Sequence, residues 1–86
     1  MADDLQLKIR SPEGVVFDDA IGGLRVRTES GLVGLRPRGE PMVVAVDPGL
    51  VEIRRGEATS FAVTGGGLMR CGRQQCSLYT PFAVVG

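Results

Sequence analysis

Apolar and polar side chains alternate along several short segments of this chain. The apolar positions are Leu5, Leu7 and Ile9, then Leu24 and Val26, Val51 and Ile53, and Phe61 and Val63. Because successive side chains of a strand point to opposite faces, this period of two predicts β-strands with the apolar face toward a core. Residues 42–46 are apolar at every position, which is typical of a central strand or of a strand at an interface.

Glycine and proline interrupt the chain at short, regular intervals. After residue 11, no stretch that lacks both exceeds eight residues, whereas a helix in a globular protein averages about 11–12 residues. Residues 47–49 and 55–57 contain the residue types that tight turns require. The pattern therefore predicts a single all-β domain over residues 1–86, built as a flattened β-sandwich or barrel of short strands.

The composition allows one core and no strongly charged surface. Of the 86 residues, 43% are apolar, which is ample for a single core and disfavours disorder. Ten basic and ten acidic residues give a formal net charge of zero. We expect no nucleic-acid partner and no direct lipid insertion, because the chain offers neither a basic surface nor an apolar run long enough for a bilayer.

The N-terminus and the cysteines bear on the cellular compartment. Residues 1–4 are neither basic nor the start of an apolar run, so no signal peptide is predicted and a cytosolic chain is expected. Because cytosolic thiols are kept reduced, Cys71 and Cys76 are expected to be free thiols on either side of a hairpin turn at residues 72–73.

Little in the sequence points to catalysis. The chain has no histidine. A serine or cysteine nucleophile therefore lacks its usual base, and the two cysteines alone do not complete a zinc site. We interpret Asp18 and Asp19 as solvated turn residues, because neighbours on a strand would face opposite ways. Residues 64–67 are glycine-rich without the lysine of a phosphate loop, and they predict a bulge or a close strand crossing. No catalytic residue, metal site or cofactor is predicted.

The most unusual stretch is the sequence Arg-Pro-Arg-Gly-Glu-Pro at residues 36–41. Two prolines stiffen a segment that presents two arginines and one glutamate. It is either a solvated connection or a recognition loop, because a stiff loop loses little conformational entropy when it docks.

Taken in order, these turns resemble the N-terminal domain of the epsilon subunit of bacterial F-type ATP synthases. The matching segments are Ser11-Pro12-Glu13-Gly14-Val15-Val16-Phe17, Gly31 to Gly34, Pro37 and Pro41, Asp47-Pro48-Gly49-Leu50, and Phe61-Ala62-Val63-Thr64-Gly65-Gly66. Each segment alone is weak, but the ordered set covers nearly the whole chain. Cys71-Gly72-Arg73 is most similar to the variant epsilon subunits of alternate, sodium-type rotary ATPases.

The chain departs from the family pattern in several places. Where the family's proline-rich loop usually has Leu-Pro-Gly-His-Ala-Pro, this chain has residues 36–41, with Gly39 in the histidine position. Gly67 stands where a larger apolar residue is common, and Met69 where glutamate is common. The chain also ends about where the family's C-terminal helical hairpin begins, so we expect that hairpin to be absent from these residues.

The resemblance implies a ten-stranded sandwich without catalytic activity, in the central stalk of an ATP synthase at the cytoplasmic face of the membrane. It would couple the gamma subunit to the c-ring of the membrane rotor in proton- or sodium-driven ATP synthesis and hydrolysis. One face would pack on the gamma subunit, through residues that the resemblance does not specify. The c-ring contact is expected at Glu29, Ser30, Gly31, Leu32, Arg36, Pro37, Arg38, Gly39, Glu40, Pro41 and Met42.

The alternative is a freestanding small β-barrel that binds another protein. A biotinyl or lipoyl carrier needs a lysine in an exposed hairpin turn, whereas the only lysine, Lys8, lies within the first predicted strand. An oligonucleotide-binding barrel needs aromatic residues and a basic face, and this chain has three phenylalanines, one tyrosine and no net charge. An enzyme is the least favoured class.

Overall fold

A computed structural model describes residues 5–86, and all of its regular structure is β-strand. The strands are β1 (Leu5–Ser11), β2 (Gly14–Ile21), β3 (Gly23–Thr28), β4 (Gly31–Leu35), β5 (Met42–Val46), β6 (Gly49–Arg55), β7 (Ala58–Thr64), β8 (Gly67–Cys71), β9 (Gln75–Tyr79) and β10 (Ala83–Val85). Residues 5–86 contain no helix, so the predicted all-β class is confirmed. The expectation about residues 1–4 lies outside the described residues.

The strands form two five-stranded sheets around one core. The first sheet has the order β2-β1-β9-β8-β5, and the second has the order β10-β7-β6-β3-β4. Strands β1 and β9 run parallel, whereas the other paired strands are antiparallel. The predicted sandwich of about ten short strands is confirmed.

The core lies between the inner faces of the two sheets. Leu7 of β1, Val26 of β3 and Ile53 of β6 are completely buried, as the alternation predicted. Burying such a side chain contributes about 1.5–3 kcal/mol relative to leaving it exposed. A shift of one residue in strand pairing would expose the whole inner set, so the hydrophobic pattern fixes the register.

Strand β7 shows the predicted alternation with its faces reversed. Phe61 and Val63 are exposed, whereas Ala62 and Thr64 are buried. The expectation that the two larger side chains face the core is therefore wrong. Ala62 is paired with the fully buried Val51 of β6, so a small side chain of β7 occupies the inner face.

The fully apolar segment forms β5, which is an edge strand of the first sheet. The central-strand interpretation of residues 42–46 is therefore wrong. Val46 is buried, whereas Val43 is exposed on the outer face of the strand. The interface-strand interpretation stays a prediction.

The chain crosses from the second sheet to the first between β7 and β8. Gly66 and Gly67 have φ angles of 75° and 139°, which glycine adopts without steric cost. A Cβ atom on Gly66 would lie 2.5 Å from the carbonyl oxygen of Val46, and one on Gly67 would overlap the carbonyl oxygen of Tyr79. The predicted close crossing is confirmed, and Gly67 has no room for a side chain.

Asp18 and Asp19 lie within β2, so their interpretation as turn residues is wrong. Asp18 is paired in register with Lys8, and its Oδ2 atom lies 3.9 Å from Lys8 Nζ. Asp19 accepts a 2.7 Å hydrogen bond from Arg55 of the other sheet. Both are exposed ion pairs, which usually contribute less than about 1 kcal/mol.

Cys71 and Cys76 form a disulfide across the β8–β9 hairpin. They are directly opposite each other in the antiparallel register, with Cα atoms 4.1 Å apart. The expectation of free thiols is therefore corrected. It rested on the cellular compartment, which sets the thiol–disulfide balance, whereas the strand register decides whether two sulfur atoms can meet.

We expect reduction of this disulfide to lower the free energy of unfolding by about 2 kcal/mol, because the bond restricts a short loop of the unfolded chain. For a domain of this size, the melting temperature should fall by about 10 °C. Thermal unfolding of the oxidised and the reduced chain measures the difference. The Cys71→Ala/Cys76→Ala variant is the control, because reductant should leave its melting temperature unchanged. Equal melting temperatures for the two forms of the natural chain would contradict the prediction.

Candidate protein-interaction surfaces

The turn between β3 and β4 is fixed by its own hydrogen bonds. Ser30 N donates a 3.2 Å hydrogen bond to the Thr28 hydroxyl, which donates a 2.9 Å bond to the carbonyl oxygen of Gly31. Glu29 and Ser30 are exposed at the tip. Leu32 follows on β4 and is 59% exposed. This end of the molecule thus presents a stiff polar turn beside an exposed apolar side chain.

Residues 36–41 connect β4 to β5 and are termed the 36–41 loop. Arg38 N donates a 2.6 Å hydrogen bond to the carbonyl oxygen of Arg73, at the tip of the β8–β9 hairpin. Within the loop, Gly39 N donates a 3.2 Å bond to the carbonyl oxygen of Arg36, and Arg38 has a positive φ of 62°. The loop is therefore a tight turn that is attached to the hairpin.

The two segments predicted to contact the c-ring are separated along β4. The turn at residues 29–30 and the 36–41 loop lie at opposite ends of β4, whose five residues span about 13 Å at the usual rise of ~3.3 Å per residue. Asp47 N donates a 2.8 Å bond to the carbonyl oxygen of Arg27 beside the turn, whereas the loop lies beside the β8–β9 hairpin. The structure brings Glu29, Ser30, Gly31 and Leu32 together, and it places Arg36, Pro37, Arg38, Gly39, Glu40, Pro41 and Met42 in a separate group.

A row of large apolar side chains is exposed on the outer face of the second sheet. The register aligns Leu50, Val63 and Val84 across β6, β7 and β10, and they are 62%, 46% and 66% exposed. Phe61 of β7 and Phe82, just before β10, are also about half exposed. These five residues are termed the apolar patch. A contiguous patch of this kind marks an interaction surface, whereas scattered exposed apolar residues are ordinary.

The same outer face holds a groove of about 290 Å³ lined by three arginines, Arg25, Arg36 and Arg54, and by one glutamate. Gly23 and Gly34 lie among them on β3 and β4, and their missing side chains leave the gap. Arginines arranged in this way can bind carboxylate groups of a partner protein. Strand register brings the arginines together, so no sequence motif reveals the cluster.

Among residues 5–86, no three cysteine, aspartate or glutamate side chains are placed to hold a metal ion. The described part of the chain contains no helix of the length and hydropathy that a membrane span requires.

Comparison with known families gives the exposed surfaces a context. The model of the β-sandwich domain of the ATP synthase delta/epsilon chain matches residues 4–85. The chain belongs to this family. The resemblance and the sandwich fold expected from the sequence are thereby confirmed.

Similar curated proteins are ATP synthase epsilon chains. The epsilon chain of Chloroflexus aggregans is 38% identical over 63 residues, which cover 72% of this chain and 45% of the relative. The chloroplastic epsilon chain of Pinus thunbergii is 35% identical over 63 residues, which cover 72% of this chain and 46% of the relative. The chain thus spans about half the length of the curated relatives that it matches.

Solved structures share the sandwich fold. A chain of the Euglena gracilis mitochondrial ATP synthase, determined with OSCP, F1 and the c-ring, has a TM-score of 0.88 at 20% identity, covering 99% of this chain and 54% of that one. A chain of the Tetrahymena thermophila mitochondrial ATP synthase central stalk and c-ring has a TM-score of 0.76 at 11% identity, covering 94% of this chain and 66% of that one. At such identities the likeness establishes the fold alone.

Proposed function

We propose that this chain is the β-sandwich domain of an ATP synthase epsilon subunit, a non-catalytic part of the central stalk that couples the gamma subunit to the c-ring. The family match over residues 4–85 carries the proposal. The domain would act at the cytoplasmic face of the membrane, in a complex driven by protons or sodium ions. The alternative, a freestanding β-barrel that binds another protein, has less support because the relatives are epsilon chains.

The apolar patch is the proposed contact with the gamma subunit. It is the part of the second sheet whose outward side chains are large and apolar, and covering it with another protein would remove these side chains from water. The neighbouring arginine groove would add charged contacts, which give orientation more than affinity.

Co-expression with the gamma subunit of the same organism tests the assignment. We expect a stable complex in gel filtration, because the patch offers an apolar interface core with a charged surround. Separate elution of the two chains at micromolar concentrations would favour the freestanding module instead.

For the c-ring, we propose that the turn at Glu29 and Ser30 makes the contact. Leu32 and Leu50, both exposed, lie toward the same end of the sandwich as this turn. The turn is stiff, and stiffness suits a part that must transmit torque without deforming. The second predicted group, Arg36 to Met42, would then face another part of the rotor.

Disulfide cross-linking distinguishes the two groups. We expect Glu29→Cys to cross-link to a cysteine placed in the polar loop of the c subunit in assembled complex. Arg38→Cys is the matched variant, because it lies in an exposed loop at the opposite end of β4 and should cross-link far less. A higher yield for Arg38→Cys would assign the c-ring contact to the 36–41 loop. If neither variant cross-links to the c subunit in an assembled complex, the c-ring contact lies neither at the turn nor at the 36–41 loop.

A further inference from the structure

The disulfide lies beside the 36–41 loop. Cys71 and Cys76 are 5% and 2% exposed and belong to the core between the sheets. Together with Arg36, Gly39 and Glu40 of the loop, they line a groove of about 170 Å³. The two cysteines are therefore almost completely buried, and the 36–41 loop borders the groove that they line.

The loop and the disulfide are joined through the β8–β9 hairpin. Gly72 N donates a 2.8 Å hydrogen bond to the carbonyl oxygen of Gln75, which closes the hairpin just beyond the two cysteines. The loop is attached at the next position, where the Arg73 carbonyl accepts the bond from Arg38 N. On the other side of β8, Cys71 is paired with Met42, the first residue after the loop. A change at the disulfide thus reaches both attachment points of the loop.

Loss of the disulfide need not disrupt the sandwich. Strands β8 and β9 remain paired from Leu68 with Tyr79 to Arg70 with Ser77. The bond also closes only a short loop, and short loops gain the least from a cross-link. After reduction, backbone hydrogen bonds from Gly72 N to the Gln75 carbonyl and from Gln6 N to the Gln74 carbonyl still hold the hairpin tip, so the tip and the attached loop are the parts whose hold on the sandwich weakens most.

We propose that Cys71 and Cys76 form a reversible dithiol/disulfide site that controls how firmly the 36–41 loop is held on the sandwich. The reductant is a dithiol. One of its thiolates attacks a sulfur of the pair, which breaks the Cys71–Cys76 bond and forms a mixed disulfide, and its second thiol then releases the protein. Two electrons pass to the protein, its two thiols take up two protons, and the reductant leaves as a disulfide.

The geometry gives this site a gate. Thiol–disulfide exchange needs access of the attacking thiolate to a sulfur atom, and both cysteines are nearly buried in a groove that the 36–41 loop borders. Movement of the loop away from the hairpin would widen this groove and speed reduction, and a reduced hairpin holds the loop less firmly. The two events favour each other, as linkage requires.

Hydrogen exchange of the whole chain, oxidised or treated with dithiothreitol, tests the control of the loop. We expect amides of residues 36–41 and 72–75 to exchange at least about 100-fold faster after reduction, whereas those of β1 and β6, which exchange through global unfolding, should speed up only by the roughly 30-fold that matches the general loss of stability. The Cys71→Ala/Cys76→Ala variant should match the reduced form. Equal exchange of residues 36–41 and 72–75 in the two forms, or an increase there no larger than in β1 and β6, would overturn the proposal.

The rate of reduction by dithiothreitol tests the gate. Arg38→Pro removes the N–H that bonds to Arg73 and cannot adopt the positive φ of this position, so we expect reduction about tenfold faster. Arg38→Asn is the control, because it keeps the N–H and asparagine tolerates positive φ; its rate should equal that of the natural chain. Circular dichroism verifies that both variants fold. Equal rates in folded Arg38→Pro and Arg38→Asn would show that the loop does not gate the disulfide.

One consequence rests on the proposed function. If the loop faces the rotor, the disulfide should be reduced more slowly in the assembled complex than in the separate chain. If the disulfide is reduced equally fast in the complex and in the separate chain, and the separate chain otherwise behaves as expected, the loop does not contact the rotor. The proposed redox site would then still stand.

Discussion

Gly67→Ala should destabilise the domain by about 3–5 kcal/mol, the largest effect expected from any single methyl group in this chain. The added Cβ would overlap the carbonyl oxygen of Tyr79, and the backbone φ of 139° is one that alanine avoids. Gly67 lies in β8 and Tyr79 in β9, and these strands are paired, so neither backbone can move away without breaking the β8–β9 ladder. A domain of this length has a total stability of roughly 4–13 kcal/mol, so urea unfolding should show loss of a large fraction of it.

Gly34→Ala is the matched control for this prediction. Gly34 lies within β4, has no positive φ, and a Cβ there would have no neighbour within 4 Å. Alanine should leave stability unchanged or raise it by up to about 1 kcal/mol, because glycine weakens strand interiors. If the two variants unfolded at the same urea concentration, the close approach at Gly67 would not be a steric requirement.

The sequence pattern predicted the strands well and their faces less well. Strict alternation located β1, β3 and the Val51 to Arg54 part of β6 and identified their inward residues, because polar or charged side chains occupy the other face there. In β7 both faces are apolar or small, so a period of two leaves open which set is buried. Pairing with Val51 selects Ala62 for the inner face, and this long-range pairing is not encoded in the local pattern.

The candidate site was predictable only in part. The sequence located the 36–41 loop as a connection, but the turn expected at Gly31 to Gly34 is wrong, because these residues belong to β4. The resemblance gave the loop and residues 29–32 a shared partner. Only three residues separate Leu32 from Arg36, but β4 extends from Gly31 to Leu35, so the turn at Glu29 and Ser30 and the 36–41 loop lie at its opposite ends. Likewise, Arg25, Arg36 and Arg54 are scattered along the chain, and the register of three strands gathers them in one groove.

The cysteines illustrate a different limit. Their spacing correctly predicted a hairpin turn between them, and an antiparallel hairpin of that length places the two residues opposite each other. The expectation of free thiols came from the compartment alone. The strand register decides whether the disulfide can form, whereas the cellular compartment decides how often it is reduced.

Val63→Glu should weaken binding to the gamma subunit by about 100-fold, because it places a charge at the centre of the proposed interface. Val63 lies between Leu50 and Val84 in the apolar row, so the carboxylate would lose its water on docking. The substitution points outward from the sandwich, and surface changes usually alter stability by no more than about 0.5 kcal/mol. Titration calorimetry with the gamma subunit measures the affinity, and thermal unfolding verifies the fold.

Gln75→Glu is the matched control for the patch. Gln75 is exposed on β9, which belongs to the other sheet. It introduces the same charge on an exposed strand position, so any general effect of acidity would appear in both variants. We expect Gln75→Glu to bind within a few-fold of the natural chain. If both variants bind with the affinity of the natural chain, the gamma contact lies elsewhere, and the outer face of β5 is the next surface to test. If both variants bind equally weakly, the effect is due to charge and not to the apolar patch.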